Sequence, residues 1–236
     1  MGYLPDWVGS GNFAHVISMM ASAGCCGVQV LDASGTVRYA CGDIFDPALG
    51  PERGVGSRLE SIYRPEVARE RQEVFAQLAR QRPTNALLLD MVQGRELWWM
   101  SSAAYCDDEL CGLFSIGVHP HPSARPADGP DVKRLRFVIS SGPLARLTLG
   151  ELEVLRLLAM GRRREDMAQE LRRTVKAVER RRTTLGRKLE AEHAGELAMI
   201  GVEAGLHRMS HAELTRFADA NCGTNAPMSG IAVSSA

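Results

Sequence analysis

The chain has 236 residues, 45% hydrophobic and 24% charged, with 28 Lys/Arg balancing 28 Asp/Glu, an ordinary globular composition long enough for one large domain or two small ones. No run approaches the length of a membrane-spanning helix, and the start, MGYLPDWVGSGNF, lacks the basic beginning and apolar core of a secretion signal, so a cytoplasmic protein without a membrane partner is expected. The neutral total hides a split: residues 1–118 hold nine Lys/Arg against fourteen Asp/Glu, a net −5, and residues 119–236 hold nineteen against fourteen, a net +5, which suggests two modules with different tasks.

Residues 13–23 (NFAHVISMMAS) have the pattern of a short amphipathic helix. Val28–Leu31 and Thr36–Ala40 read as strands, with Asp32-Ala33-Ser34-Gly35 supplying the Asp and Gly of a tight hairpin. Residues 42–62 are broken by Gly42, Pro47, Gly50, Pro51, Gly54 and Gly56 and are expected to be irregular. A helix is predicted over Pro65–Arg80, with Pro65 in the first turn and Val67, Val74, Phe75 and Leu78 on one face. Three strands follow at Asn85–Met91, Glu96–Tyr105 and Glu109–Val118, turning at Gln93-Gly94 and Cys106-Asp107-Asp108. Leu110, Phe114, Ile116 and Val118 alternate as one face of the last strand, and adjacent Trp98 and Trp99 point to opposite faces. Two strands, an irregular and helical middle and three more strands predict a five-stranded antiparallel sheet covered by helices on one face.

Residues 119–131 (HPHPSARPADGPD) have linker composition, and Lys133–Ser141 reads as a short strand or extended arm. Next comes a basic helical stretch. Thr148 and Glu151 form a capping box, Val154, Leu155, Leu158 and Ala159 a buried stripe, and Gly161 a stop. A second helix spans about Arg164–Leu171, with Met167, Ala168 and Leu171 inward. Thr174 caps a third from Val175 to Leu189, with Val178, Leu185 and Leu189 inward, and a last helix at about Gly195–Ala204 brings Leu197 and Ile200. Between Arg162 and Lys188 lie eleven basic residues against Glu165, Asp166, Glu170 and Glu179, a net +7. Such a unit suits a polyanion, with double-stranded DNA the first partner to consider.

Two helices joined by the tight Arg172-Arg173 connection are a helix-turn-helix, and the long basic third helix is the one able to enter a major groove. Its outer face carries Lys176, Glu179, Arg180, Thr183 and Arg187. Glu179, Arg180 and Thr183 are the candidate base readers: Arg180 for guanine edges, Thr183 for a thymine methyl or a phosphate. Arg162, Arg163, Arg164, Thr174, Lys176, Arg181, Arg187 and Lys188 are the candidate phosphate contacts. Glu179 either accepts from a cytosine amino group or pairs with a neighbouring Arg.

From Leu147 to about Leu206 this half resembles the DNA-binding domain of LuxR/FixJ-type bacterial transcription regulators. The resemblance rests on LT followed by ELEVLRLLAMG, on EDMAQEL, on Thr174, Lys176 and Val178, on RKL at 187–189 and on GELAMIGVEAGL. Leu149 stands where the family usually has Pro, Arg172-Arg173 replaces an apolar pair, Ala177 replaces Thr, Arg181 replaces His, and Glu179 occupies a position often held by Lys. The resemblance implies a four-helix all-α DNA-binding domain that works as a homodimer on paired half-sites, with RNA polymerase or a regulatory protein as a further partner.

The first half resembles a PAS domain, through GVQVLDASGTVRYA at 27–40, GSRLESIYRPEV at 56–67 and the final three strands. This implies a sensor or dimerisation module with a pocket between sheet and helices, whose ligand stays unknown; no cofactor is predicted. A flavin-binding Asn-Cys-Arg-Phe-like motif is absent, His15 and His119 give weak grounds for haem, and Cys106, Cys111, His119 and His121 lack a zinc-binding spacing. Cys25, Cys26 and Cys41 read as reduced thiols before they read as redox sensors.

The fold class expected is therefore α+β. The divisions are an arm at 1–22, a PAS-like domain at 23–118, a linker at 119–146, a helix-turn-helix domain at 147–208 and a disordered tail at 209–236. The function expected is a DNA-binding transcription regulator. The alternative is a PAS scaffold for protein contacts whose helix-turn-helix no longer reads DNA. An enzyme is not expected, since there is no phosphate-binding Gly loop, G-x-S-x-G or H-E-x-x-H.

Overall fold

The computed structural model describes residues 27–42, 54–80, 85–106, 108–121, 123–124 and 132–221. The expected helix at 13–23, residues 43–53 of the irregular segment, residues 125–131 of the linker and the tail from 222 lie outside the described residues. The chain divides into two units, 1–140 and 141–236.

In the first unit, β1 (Gly27–Asp32) and β2 (Val37–Cys41) form the expected hairpin. The Asp32 carboxylate closes its turn by accepting from the Ser34 and Thr36 amides at 2.9 and 3.0 Å. A short helix, α1 (Leu59–Ile62), interrupts the stretch expected to be irregular, because Leu59 and Ile62 are buried. The predicted long helix is α2 (Pro65–Arg80), with Val67, Val74, Phe75 and Leu78 buried.

The strands β3 (Asn85–Val92), β4 (Arg95–Cys106) and β5 (Glu109–Val118) make an antiparallel meander. Gln93 and Gly94 both have positive φ, 51° and 78°, the backbone a two-residue hairpin turn requires. The sheet order is β2-β1-β5-β4-β3-β6, so the five expected antiparallel strands are joined by a sixth, β6 (Val132–Arg134), parallel to β3.

Helices cover one sheet face, where Leu31, Val37, Leu88, Leu97, Trp99 and Leu113 pack in one core. The opposite face carries a second cluster of Val28, Val30 and Tyr39, with Phe114 and Ile116 against it. Leu110 does not share a face with Phe114 and Ile116, contrary to simple alternation. Tyr105 pairs with Leu110 and Ala104 with Gly112, so Cys111 is the extra residue of a β-bulge. One inserted residue flips the side chains beyond it, and Leu110 packs on the helix-covered core.

The segment expected to be a linker through residue 146 is structured from Val132. Its residues to Ser140 belong to the first unit, and Leu135 and Val138 are buried there. Its residues Gly142–Arg146 form a 3-10 turn of the second unit, with Leu144 and Ala145 buried.

The second unit contains the four expected helices, α3 (Leu149–Ala159), α4 (Arg164–Glu170), α5 (Val175–Leu189) and α6 (Ala194–Glu203). The Thr148–Glu151 capping box is formed. Beyond the expected stripe, Leu152 and Leu157 of α3 are also buried. The expected disorder from 209 does not hold up to Asn221. A further helix, α7 (His211–Asn221), buries Leu214, Phe217 and Ala218 and packs on α3. Among the described residues no helix is long and apolar enough to cross a membrane.

Candidate nucleic-acid interface and sensor cavity

The geometry of α5 starts at the turn before it. At the end of α4 the Arg172 amide donates to Gln169 O at 3.1 Å and the Arg173 amide to Ala168 O at 2.8 Å. Arg172, with φ 52°, takes the left-handed position that glycine usually fills in this helix stop. Thr174 then caps α5, its hydroxyl oxygen accepting from the Ala177 amide at 3.2 Å. The two helices are thus joined by four residues, and the amides of Leu171, Arg172 and Arg173 all return to carbonyls of α4, which fixes where α5 begins.

The inner face of α5 is set by a 3.6-residue period. Val178 and Leu185 are buried on it, and Arg181 and Lys188 fall in the same register. Arg181 lies against the first turn of α3, donating to Gly150 O at 3.4 Å. Lys188 Nζ is 2.7 Å from Glu151 Oε2 and donates to Arg146 O at 3.0 Å. Two of the residues expected to hold phosphates are therefore engaged inside the unit.

On the outer face Lys176, Arg180, Thr183 and Arg187 are all exposed, one above another along the helix. Lys176, Arg180 and Arg187 have no ion-pair or hydrogen-bond partner among the described residues. Thr183 donates to the Glu179 carbonyl at 3.1 Å. At the rim, Glu179 is 31% exposed and stands between two guanidinium groups, 3.0 Å from Arg182 and 3.6 Å from Arg164. Of the two roles open to Glu179, pairing with neighbouring arginines is the one it has in this structure. Arg162 to Arg164, at the start of α4, are exposed; Arg162 sits 3.9 Å from Glu170.

Glu151 ties the interface to the core. Burial by itself would raise its carboxyl; the Lys188 ammonium and the Thr148 amide and hydroxyl outweigh that and hold it below the ordinary glutamate value. The same carboxylate that caps α3 therefore anchors the C-terminal turn of α5.

In the first unit, a cavity of about 40 Å³ lies between the sheet and the helices, at the position the PAS resemblance implies. At ~10–15 Å³ each it has room for roughly three waters. Trp99 and Tyr63 supply aromatic walls, and the Ser101 and Ser115 hydroxyls, 2.8 Å apart, face each other from β4 and β5. Arg71 borders the cavity with its guanidinium 5.5 Å from the Tyr63 ring centre, paired with the buried carboxylate of Asp90.

No protein-family model matches the chain, and no curated protein gives a significant sequence match. Solved structures do show likeness to it. VqmA of Vibrio cholerae, a dimer without its target DNA and described as a LuxR-type receptor, matches at 18% identity, with 86% of this chain and 92% of that one covered and a TM-score of 0.40. A ligand and DNA complex of Vibrio cholerae VqmA matches at 16% identity over 85% and 91%, with a TM-score of 0.44. A phage VqmA–DPO complex matches at 16% identity over 88% and 97%, with a TM-score of 0.37.

Sequence reasoning missed the inward turn of Arg181 and Lys188, although their spacing from Val178 and Leu185 carries the signal. It also missed Arg71 and Asp90, whose contact joins α2 to β3 and has no local signature. Among the described residues no group of three or more His, Cys, Asp or Glu is placed to hold a metal.

Proposed function

We propose that this chain is a LuxR/FixJ-type transcription regulator that binds double-stranded DNA through α5, while its PAS-like unit senses a small molecule or sets dimerisation. The observation that carries this reading is the outer face of α5. It aligns three exposed cations and a threonine on a helix whose opposite side is anchored by buried Val178 and Leu185. A rigid helix with one cationic side fits the major groove.

In this reading Arg180 and Thr183 meet base edges, and Glu179 tunes that contact from the rim. Arg162, Arg163, Arg164, Thr174, Lys176 and Arg187 hold phosphates. Arg181 and Lys188 contribute by seating α5 on α3 and reach phosphates only by leaving Gly150 and Glu151. Two copies would read paired half-sites. Selection from a random duplex pool, followed by affinity measured across salt, tests the proposal. An enriched sequence whose binding weakens steeply with salt is expected; a pool with no enrichment ends it.

One observation favours the second reading, a PAS scaffold for protein contacts. Glu179 neutralises part of the face by pairing with Arg164 and Arg182. In that case the chain would retain only weak, sequence-independent duplex binding.

A further inference from the structure

From Leu135 to Ser140 the chain runs as an irregular strap, bent at Arg136, Phe137 and Ile139 and bonded to α2 on one side and to β3 on the other. Glu70 of α2 accepts from the Arg136 and Phe137 amides at 3.0 and 2.9 Å. Arg71 donates to the Phe137 carbonyl at 3.2 Å, and Arg64 to the Val138 carbonyl at 3.3 Å. Asp90 of β3 accepts from the Ile139 amide at 3.2 Å. The Leu135 and Ser140 amides close onto the carbonyls of Leu89 and Met91 at 2.9 and 3.1 Å.

Two of these side chains also hold each other. Asp90, whose side chain is fully buried, is ion-paired with Arg71, 12% exposed. A buried carboxylate depends on its partner and on every hydrogen bond it accepts, so this pair acts as a latch with the strap as its third member. Arg71, Leu135 and Ile139 border the cavity. Past Ser140 the chain passes almost at once into the 3-10 turn at Gly142–Arg146 of the second unit. One short segment is therefore at once cavity wall, latched strap and tether.

We propose that the strap is the output element of the sensing unit. An occupant of the cavity that engages Arg71 or displaces Ile139 opens the Arg71–Asp90 latch and frees residues 135–140. The tether between the units then gains six flexible residues. Such a chain spans roughly 13 Å, at about 5–6 Å times the square root of its length, and a longer tether lowers the effective concentration of the second half-site contact. The proposal rests on the sensor-and-reader assignment above.

The test uses the full chain, with hydrogen exchange followed by mass spectrometry and affinity for a duplex selected by the wild-type protein. Asp90→Asn weakens the latch. Glu70→Ala removes the acceptor for two strap amides from a half-buried helix position, and decides the matter if the first variant fails to fold. In the wild type, the amides of Arg136, Phe137, Ile139 and Ser140 are expected to be protected. In the variants they should exchange at least tenfold faster while the β4–β5 amides are unchanged, and duplex affinity should fall at least threefold. Strap amides unprotected in the wild type overturn the proposal, as does a freed strap with unchanged affinity. A wild-type chain that enriches no duplex overturns the DNA-reading assignment and the output role with it, and is distinguished by appearing in the unaltered protein.

Discussion

Glu179 Oε2 lies 3.0 Å from Arg182 Nη2, one turn further along α5, so the acid on this helix is answered by a base of the same helix. Partly exposed pairs of this kind contribute about 0–1 kcal/mol to stability. Glu179→Gln should therefore melt like the wild type. Its effect belongs to binding: removing one negative charge releases Arg164 and Arg182 toward phosphate. Affinity for random duplex should rise, and the slope of log affinity against log salt should steepen by up to about 0.9 per added phosphate contact. Equal affinity and equal slope would mean that Glu179 does not govern these arginines.

The Lys188–Glu151 contact predicts an acid sensitivity. Lys188→Met leaves a buried carboxylate with Thr148 as its remaining partner, at an expected cost of about 1–3 kcal/mol in urea unfolding. Because the folded Glu151 carboxyl lies below its ordinary value, its contribution is complete above the unfolded value of about 4.3. It fades as pH falls below that value through the folded one, where the folded state too takes up the proton. The stability gap between wild type and Glu151→Gln should thus be constant above about pH 5 and narrow as pH falls from there through the folded Glu151 value. A gap that stays constant over that range would assign the effect to the cap geometry rather than to charge.

The order of strands and helices, α2, the Thr148 cap and the core of α3 to α5 were legible because each is written in local spacing. Leu110 was misplaced because a bulge at Cys111 breaks the two-residue period, and nothing in the alternation announces it. The strap was unreadable for another reason. Its partners Glu70, Arg71 and Asp90 lie 49 to 67 positions away in sequence, so the pattern that reads as a short strand or extended arm at Lys133–Ser141 does not show what that arm binds. Charge makes Arg181 and Lys188 candidate phosphate contacts, although the helical period sets them with Val178 and Leu185. There the period was the better guide, since a long cationic stem can pack inward while its head finds a carbonyl or a carboxylate.

Two helix glycines should respond oppositely to alanine. At Gly150 the three atoms nearest an added methyl all belong to the Arg181 guanidinium, from 2.9 Å, the end of a flexible side chain that can swing away. Gly150→Ala should then be neutral or stabilising by up to about 1 kcal/mol from helix propensity. At Gly201 of α6 the methyl would meet the Leu155 carbonyl oxygen and the Ala159 methyl of α3, both at 2.9 Å. Backbone and packed methyl cannot move aside, so Gly201→Ala should cost about 1–3 kcal/mol. Thermal melts of the two variants decide this; a Gly201→Ala protein as stable as the wild type would mean that α3 and α6 do not approach so closely.

The polar chain end reads as tail, yet helix α7 carries a readable start. Ser210 and Glu213 make a capping box, the Ser210 amide and hydroxyl each 2.7 Å from the Glu213 carboxylate. Leu214, Phe217 and Ala218 follow at i, i+3 and i+4, the spacing of one helix face. Its anchoring to the unit is specific. Arg156 of α3 donates to Met209 O at 2.8 Å, His211 lies 3.4 Å from Glu153, and Ser141 donates to Asn221 O at 3.2 Å. Leu214 is fully buried, so Leu214→Ala should destabilise the second unit by about 2–5 kcal/mol. Urea unfolding followed by far-ultraviolet circular dichroism measures it, with loss of duplex binding at temperatures where the variant is unfolded. A midpoint unchanged by Leu214→Ala would mean that α7 adds nothing to the packing of α3.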